Sequence, residues 1–195
     1  MIIGFEGSPR RGGNSHKILE AILFGAEGAG ESAEAVHLRD YDYKPCLGCE
    51  KCRKDKICTR MNDGMTLLYP RIIDAKGLVL VTPVHNYNVT AWVKAFIDRL
   101  YCFYDFNDER PRGWSSRLAG QGRKAVIVAI AEQEKKYDMG VALEAMRLPM
   151  TALGFDVVEE VAILRMFDRG IVVNHDDIMD QARNAGQTLA KALGK

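Results

Sequence analysis

Short, continuously apolar runs alternate along this chain with segments in which apolar residues recur every three or four positions. The runs cover residues 2–7, 34–38, 77–83, 124–131 and 157–164. The third and fourth contain Leu78-Val-Leu-Val-Thr82 and Ala125-Val-Ile-Val-Ala-Ile130. Apolar residues on both parities are the mark of parallel strands buried on both faces. Helical spacing fits residues 15–29, 65–74, 90–103, 141–153 and 174–193. For the last helix Asn174 or His175 is a candidate N-cap, Asp176 and Asp177 fall in the first turn, and Gly194 lies beyond the end. Five strands alternating with five helices predict right-handed βαβ units and an open, doubly wound α/β sheet.

Two connections in this scheme are long, 39–62 and 104–123. Long loops in an α/β domain are commonly functional or interfacial. The 195 residues suit one domain, 1–195, with a full core, and the 47% apolar content is ordinary. No repeat or low-complexity segment interrupts it. A net charge of +1 gives no reason to expect nucleic acid. No apolar stretch reaches eighteen residues, so no transmembrane helix is expected. The chain opens directly on Met1-Ile-Ile-Gly-Phe5, without the basic region and cleavage site of a secretory leader. A cytoplasmic location is therefore the expectation.

The first long connection carries the densest chemistry. Cys46, Cys49, Cys52 and Cys58 fall within thirteen residues, spaced C-x2-C-x2-C-x5-C. Thiolates select zinc, copper(I) or iron–sulfur clusters. Consecutive x2 steps resemble ferredoxin-type ligation, whereas zinc ligands more often split into two distant pairs. A [4Fe–4S] cluster, a structural zinc site and four reduced cysteines without metal all remain open at this point. A disulfide has little to favour it in a chain that nothing marks as secreted. Lys44, Lys51, Arg53, Lys54, Lys56 and Arg60 surround these cysteines against only Glu50 and Asp55, a basic island in a nearly neutral chain.

The first strand runs into Gly7-Ser-Pro-Arg-Arg-Gly-Gly-Asn-Ser15, and a helix follows. Small residues let backbone N–H groups approach an anion at a helix N-terminus, with Ser8, Arg10, Asn14 and Ser15 as side-chain donors. The loop lacks the Gly-Lys-Ser/Thr of a P-loop and is not G-x-G-x-x-G.

This loop resembles the FMN-phosphate loop of the flavodoxin-like NAD(P)H-dependent FMN reductases. The likeness continues through Thr82-Pro-Val-His-Asn-Tyr87 and Lys94-Ala-Phe-Ile-Asp-Arg-Leu100. The cysteine run followed by Asn62-Asp-Gly-Met65 narrows it to the iron–sulfur flavoproteins. The resemblance implies a flavodoxin-like five-stranded parallel sheet of order 2-1-3-4-5, with FMN beyond the carboxyl ends of strands one and three. It places the phosphate against Ser8, Arg10, Gly13, Asn14 and Ser15. The ring system falls against Pro83, Val84, His85, Asn86, Tyr87 and Asn88, with Ala131, Glu132 and Gln133 completing the wall. Cys46, Cys49, Cys52 and Cys58 would hold the cluster. His85 stands where relatives more often carry Tyr, and is read either as a flavin contact or as a surface residue.

Trp92, Phe96 and Leu100, at i, i+4 and i+8, are expected in the core, Cys102 as a buried apolar residue, and Lys94–Asp98 as a helix salt bridge. The function implied is electron transfer between a two-electron flavin and a one-electron cluster. The resemblance also implies a homodimer or homotetramer, with NAD(P)H or a ferredoxin-type protein as electron source. The competing readings are a clusterless NAD(P)H-dependent flavin or quinone reductase and a zinc-stabilised flavin-binding module.

Overall fold

The computed structural model describes residues 1–194. Five parallel strands form the central sheet: β1 (Ile2–Glu6), β2 (Ala33–His37), β3 (Gly77–Pro83), β6 (Lys124–Ile130) and β7 (Asp156–Ile163). Their spatial order is β2-β1-β3-β6-β7, which in chain order is 2-1-3-4-5, the flavodoxin-like arrangement. Ile2 pairs with Gly77 and Gly77 with Lys124, so the three central strands start level, and β3 and β6 run two residues past the end of β1 at the carboxyl edge. Side chains of β3 alternate between two cores. Leu78 and Leu80 pack with α3 (Gly64–Asp74), α4 (Ala91–Arg99) and α5 (Ala142–Leu153). Val79 and Val81 pack against α1 (Asn14–Gly28) and α6 (Asp176–Leu193). Burial on both faces is the physical reason these strands read as unbroken apolar runs.

Three departures from the sequence reading stand out. The expected helix over 90–103 ends at Arg99 and tightens into a 3-10 turn, Leu100–Phe103. Trp92, expected in the core, is 38% exposed on the outer side of α4, while Phe96 and Leu100 are buried as expected. The long loop 104–123 contains a small antiparallel ribbon, β4 (Tyr104–Phe106) with β5 (Trp114–Ser116). Three-residue strands are too short to show a periodicity. Their pairing is marked instead by an aromatic contact, Tyr104 edge-on to Trp114 at 5.3 Å, and Tyr101 of the preceding 3-10 turn stacks on Phe106 at 5.0 Å. The cysteine loop likewise holds one short helix, α2 (Cys52–Asp55). Among the described residues no helix is long and apolar enough to cross a membrane.

Candidate functional site

A cleft of about 370 Å³ opens at the carboxyl edge of the sheet. Its floor is the loop after β1. Gly7 passes so close to α4 that a Cβ there would lie 2.1 Å from Val93 Cγ2. Thr90, which caps α4 by accepting from Val93 N–H, also donates to Gly7 O at 2.7 Å. The loop and the start of α4 are thus one rigid unit. Gly13, the N-cap of α1, supplies no capping side chain, and the first turn holds no acidic residue. The amides that open α1 therefore have no intrahelical acceptor, and the positive end of the helix dipole faces the loop.

Of the expected flavin contacts, Ser8, Arg10, Gly13, Asn14, Ser15, Pro83, Val84, His85, Asn86, Tyr87 and Glu132 line this one cleft. Asn88 and Ala131 do not. Asn88 closes a tight turn, its backbone pairing both ways with His85 and its side chain accepting from Val89 N–H. Ala131 is buried, tied through its backbone to Ile163 and Met166. The turn is of the primed kind, with Asn86 at φ 47° and Tyr87 at φ 62°. Left-handed geometry is easy for Asn and strained for Tyr, and such strain collects at functional sites.

The opposite wall comes from a segment the sequence reading overlooked, Met166, Phe167 and Arg169 after β7. Arg10 donates to Phe167 O at 3.0 Å and lies over its ring at 4.8 Å. Asn14 donates from Nδ2 to Asp168 O and accepts from Val172 N–H. Arg10 and Asn14 therefore latch this wall to the loop as well as lining the cleft. Their polar side chains signalled an anion site, but nothing local in sequence marks a partner more than 150 residues away.

A second depression, about 400 Å³, is lined by Cys46, Cys49, Cys52 and Cys58 together with Asp98 and Tyr101. Burial pushes the Cys52 thiol pKa up, and the neighbouring thiols of Cys58, Cys46 and Cys49 push it further. Cys102 is separate. It is buried, donates to Arg99 O, and burial raises its thiol to about 12.

The β4–β5 ribbon clamps this loop. Lys56 pairs with Asp105, Arg53 lies over Phe106 at 5.6 Å, and Arg112 reaches Glu50 at 3.5 Å. Arg53 also pairs with Glu50, at 3.2 Å, and with Asp108, at 3.8 Å. The basic island is therefore partly neutralised, since Asp105 and Asp108 come from the second long loop. The cleft and the depression lie at opposite ends of α4, whose nine residues span about 13 Å.

Residues 1–167 match the family model for NADPH-dependent FMN reductases. The chain belongs to the NADPH-dependent FMN reductase family. Within that family it is similar to iron–sulfur flavoproteins of Archaeoglobus fulgidus. One is 39% identical over 110 residues, covering 54% of this chain and 55% of the relative. Another is 29% identical over 209 residues, covering 98% and 92%. The chain spans about half the length of the first curated relatives it matches. Among solved structures, an NAD(P)H:quinone oxidoreductase from Methanothermobacter marburgensis superposes with a TM-score of 0.73 at 22% identity, over 96% of each chain. That likeness is one of fold. For an FMN reductase family member, the cleft described here lies where doubly wound sheets bind ligands.

Proposed function

We propose that this protein is an FMN-dependent oxidoreductase whose cysteine loop carries a [4Fe–4S] cluster, so that it exchanges electrons between a two-electron and a one-electron centre. The observation that carries the reading is the pairing of an uncapped, glycine-lined helix N-terminus with four thiols around one depression. Ser8 and Ser15 hydroxyls, the Arg10 guanidinium and the amides opening α1 would hold the flavin phosphate. The turn Pro83 to Tyr87 and Glu132 would flank the ring. FMN and the cluster, once bound, supply hydride-type and single-electron chemistry respectively. This chain's residues bind them, orient them and set the charge around them.

The consecutive x2 steps from Cys46 to Cys49 to Cys52 support a cluster over zinc, whose ligands more often split into two distant pairs. The placement of the two sites at opposite ends of α4 supports a homodimer or homotetramer in which one subunit's cysteine depression approaches another's cleft. Five free cysteines suit the reducing cytoplasm. A ferredoxin-type protein or NAD(P)H would supply electrons.

The family match favours one alternative, a clusterless NAD(P)H-dependent flavin or quinone reductase. Anaerobic purification separates the two. Iron and sulfide at about four per chain with broad absorbance around 400 nm support the proposal, and yellow protein without iron supports the alternative.

A further inference from the structure

At the carboxyl end of β1, apart from the residues lining the cleft, a glutamate and two histidines converge. Glu6 is fully buried. Its Oε1 accepts from Ser8 N–H at 3.1 Å, while Oε2 meets Arg39 Nη1 and lies 2.9 Å from His37 Nδ1. His16, in the first turn of α1, stacks on His37 with ring centroids 4.7 Å apart. His16 Nε2 sits 3.1 Å from Glu20 Oε1, and its Nδ1 is buried with no hydrogen-bond partner among the described residues. One donor atom from each of Glu6, His16 and His37 lies within 4.8 Å of the others.

We propose that Glu6, His16 and His37 form a binding site for a zinc-class divalent cation, distinct from both the cleft and the cysteine loop. Two imidazoles and one carboxylate are a donor set zinc uses with a fourth position left to water. Glu20 supplies the outer carboxylate that orients a metal-bound imidazole, leaving the other nitrogen of His16 for the ion. The cation takes the place of the proton shared by His37 Nδ1 and Glu6 Oε2. Closing the donors to the roughly 3.3 Å separation of a tetrahedral site is a matter of rotating two half-buried rings. Arg39 contacts the same Glu6 oxygen and its charge opposes any dication there, so the two imidazoles must carry the affinity, which favours a zinc-class ion over hard ions that depend on carboxylate charge. The reading opposed to this one is that Glu6 only braces the loop, through Arg39, which also donates to Ser8 O at 3.2 Å.

The test is a zinc titration of the full chain with Cys46, Cys49, Cys52 and Cys58 replaced by Ser, which removes the competing thiolates. The expected result is about one Zn²⁺ per chain at micromolar affinity, weakened at least 100-fold by His16→Ala and about 10–100-fold by Glu20→Gln. Millimolar Mg²⁺ should not compete. His16 is partly exposed, so its variant is expected to keep its circular dichroism, which is recorded alongside. The same titration on the natural chain with accessible thiols alkylated covers an unstable serine variant. Failure of the thiol-blocked chain to bind zinc at roughly 100 µM, or binding indifferent to His16→Ala, overturns the site and leaves Glu6 as a brace.

Discussion

Arg99 and Asp63 form a two-pronged ion pair, Nη1 to Oδ2 at 2.7 Å and Nη2 to Oδ1 at 3.0 Å, at the base of the cysteine loop. Arg99 is almost fully buried and also donates to Lys44 O and contacts Tyr69 OH. Asp63 caps α3 by accepting from Met65 N–H and also accepts from Lys44 N–H. One pair thus pins the residue two before Cys46 and the residue five after Cys58 to the end of α4. The cysteine depression inherits its shape from this anchor.

Asp63→Ala leaves a buried guanidinium without a counter-charge, and the expected loss is about 3 kcal/mol. Urea denaturation checks it. Burial alone would raise the Asp63 pKa, but the hydrogen bonds from Arg99 and Lys44 outweigh it and hold the carboxyl below its ordinary value. A lowered folded pKa gives stability that is complete above the unfolded value of about 4 and is lost as pH falls through the folded one. The acid limb of the stability curve should therefore flatten in Asp63→Asn. An unchanged acid limb would show that the pair carries no such linkage.

Strand and helix placement were legible because strands buried on both faces leave unbroken apolar runs, as at Leu78–Thr82, whereas the order of the strands came only from the resemblance to the flavodoxin-like FMN reductases. The donors of the first loop were legible because an anion-binding helix start needs Gly, Ser, Asn and Arg together. The Phe167 and Arg169 wall was not, since its side chains carry no periodicity and its partners Arg10 and Asn14 are remote in sequence. The ribbon Tyr104–Phe106 with Trp114–Ser116 escaped for a different reason: aromatic contacts and ion pairs to the cysteine loop hold it, rather than any local pattern.

Arg10→Ala with Ser15→Ala tests the phosphate loop. A charge-assisted hydrogen bond contributes roughly 1.5–3 kcal/mol, so FMN affinity should fall by at least tenfold while the fold survives. Fluorescence quenching titration of FMN measures it. Arg10 also latches Phe167 O, so Arg10→Lys should recover charge without restoring the latch and regain only part of the affinity. Full affinity in the double variant would remove the loop from the binding account.

Gly140→Ala probes the strained turn. Gly140 sits at φ 57°, and a Cβ there would lie 2.3 Å from Tyr87 O, which accepts from Val141 N–H at 2.9 Å. The substitution should cost about 1–3 kcal/mol and displace the turn that lines the cleft. Thermal melting and FMN titration should both register it. An effect on melting alone would separate the turn from flavin binding.

Cys49→Ser should remove the cluster and leave FMN bound, because Cys49 lies in the depression and not in the cleft. Iron, sulfide and flavin analysis after anaerobic purification gives the answer. Retention of four irons per chain would be incompatible with this ligand assignment, whereas joint loss of both cofactors would mean the two sites fold as one.

The charge around the cysteines gives the last test. A cluster held by four thiolates is net negative in its working states, so nearby cations should favour the reduced form and raise its potential. The six cations of the loop are not equivalent. Arg53 and Lys56 are held by Glu50, Asp105 and Asp108, so substituting them also loosens the ribbon. Lys51 and Lys54 are exposed and make no ion pair among the described residues. Lys44 and Arg60 are likewise exposed and make no ion pair among the described residues, so four of the six fields are free to act on a centre held by the cysteines, and Lys51 with Lys54 tests two of them. At such exposure, water and salt screen the field over about 8 Å, and the shift per unit charge should be on the order of 10–20 mV. Lys51→Glu with Lys54→Glu should therefore lower the potential modestly, keep iron content, and slow reduction by an acidic donor, most at low salt. Lys56→Glu should instead lose iron on storage, because its partner Asp105 anchors the loop. Equal potentials and equal salt dependence in the double variant and the natural chain would leave the island with no electrostatic part in electron transfer.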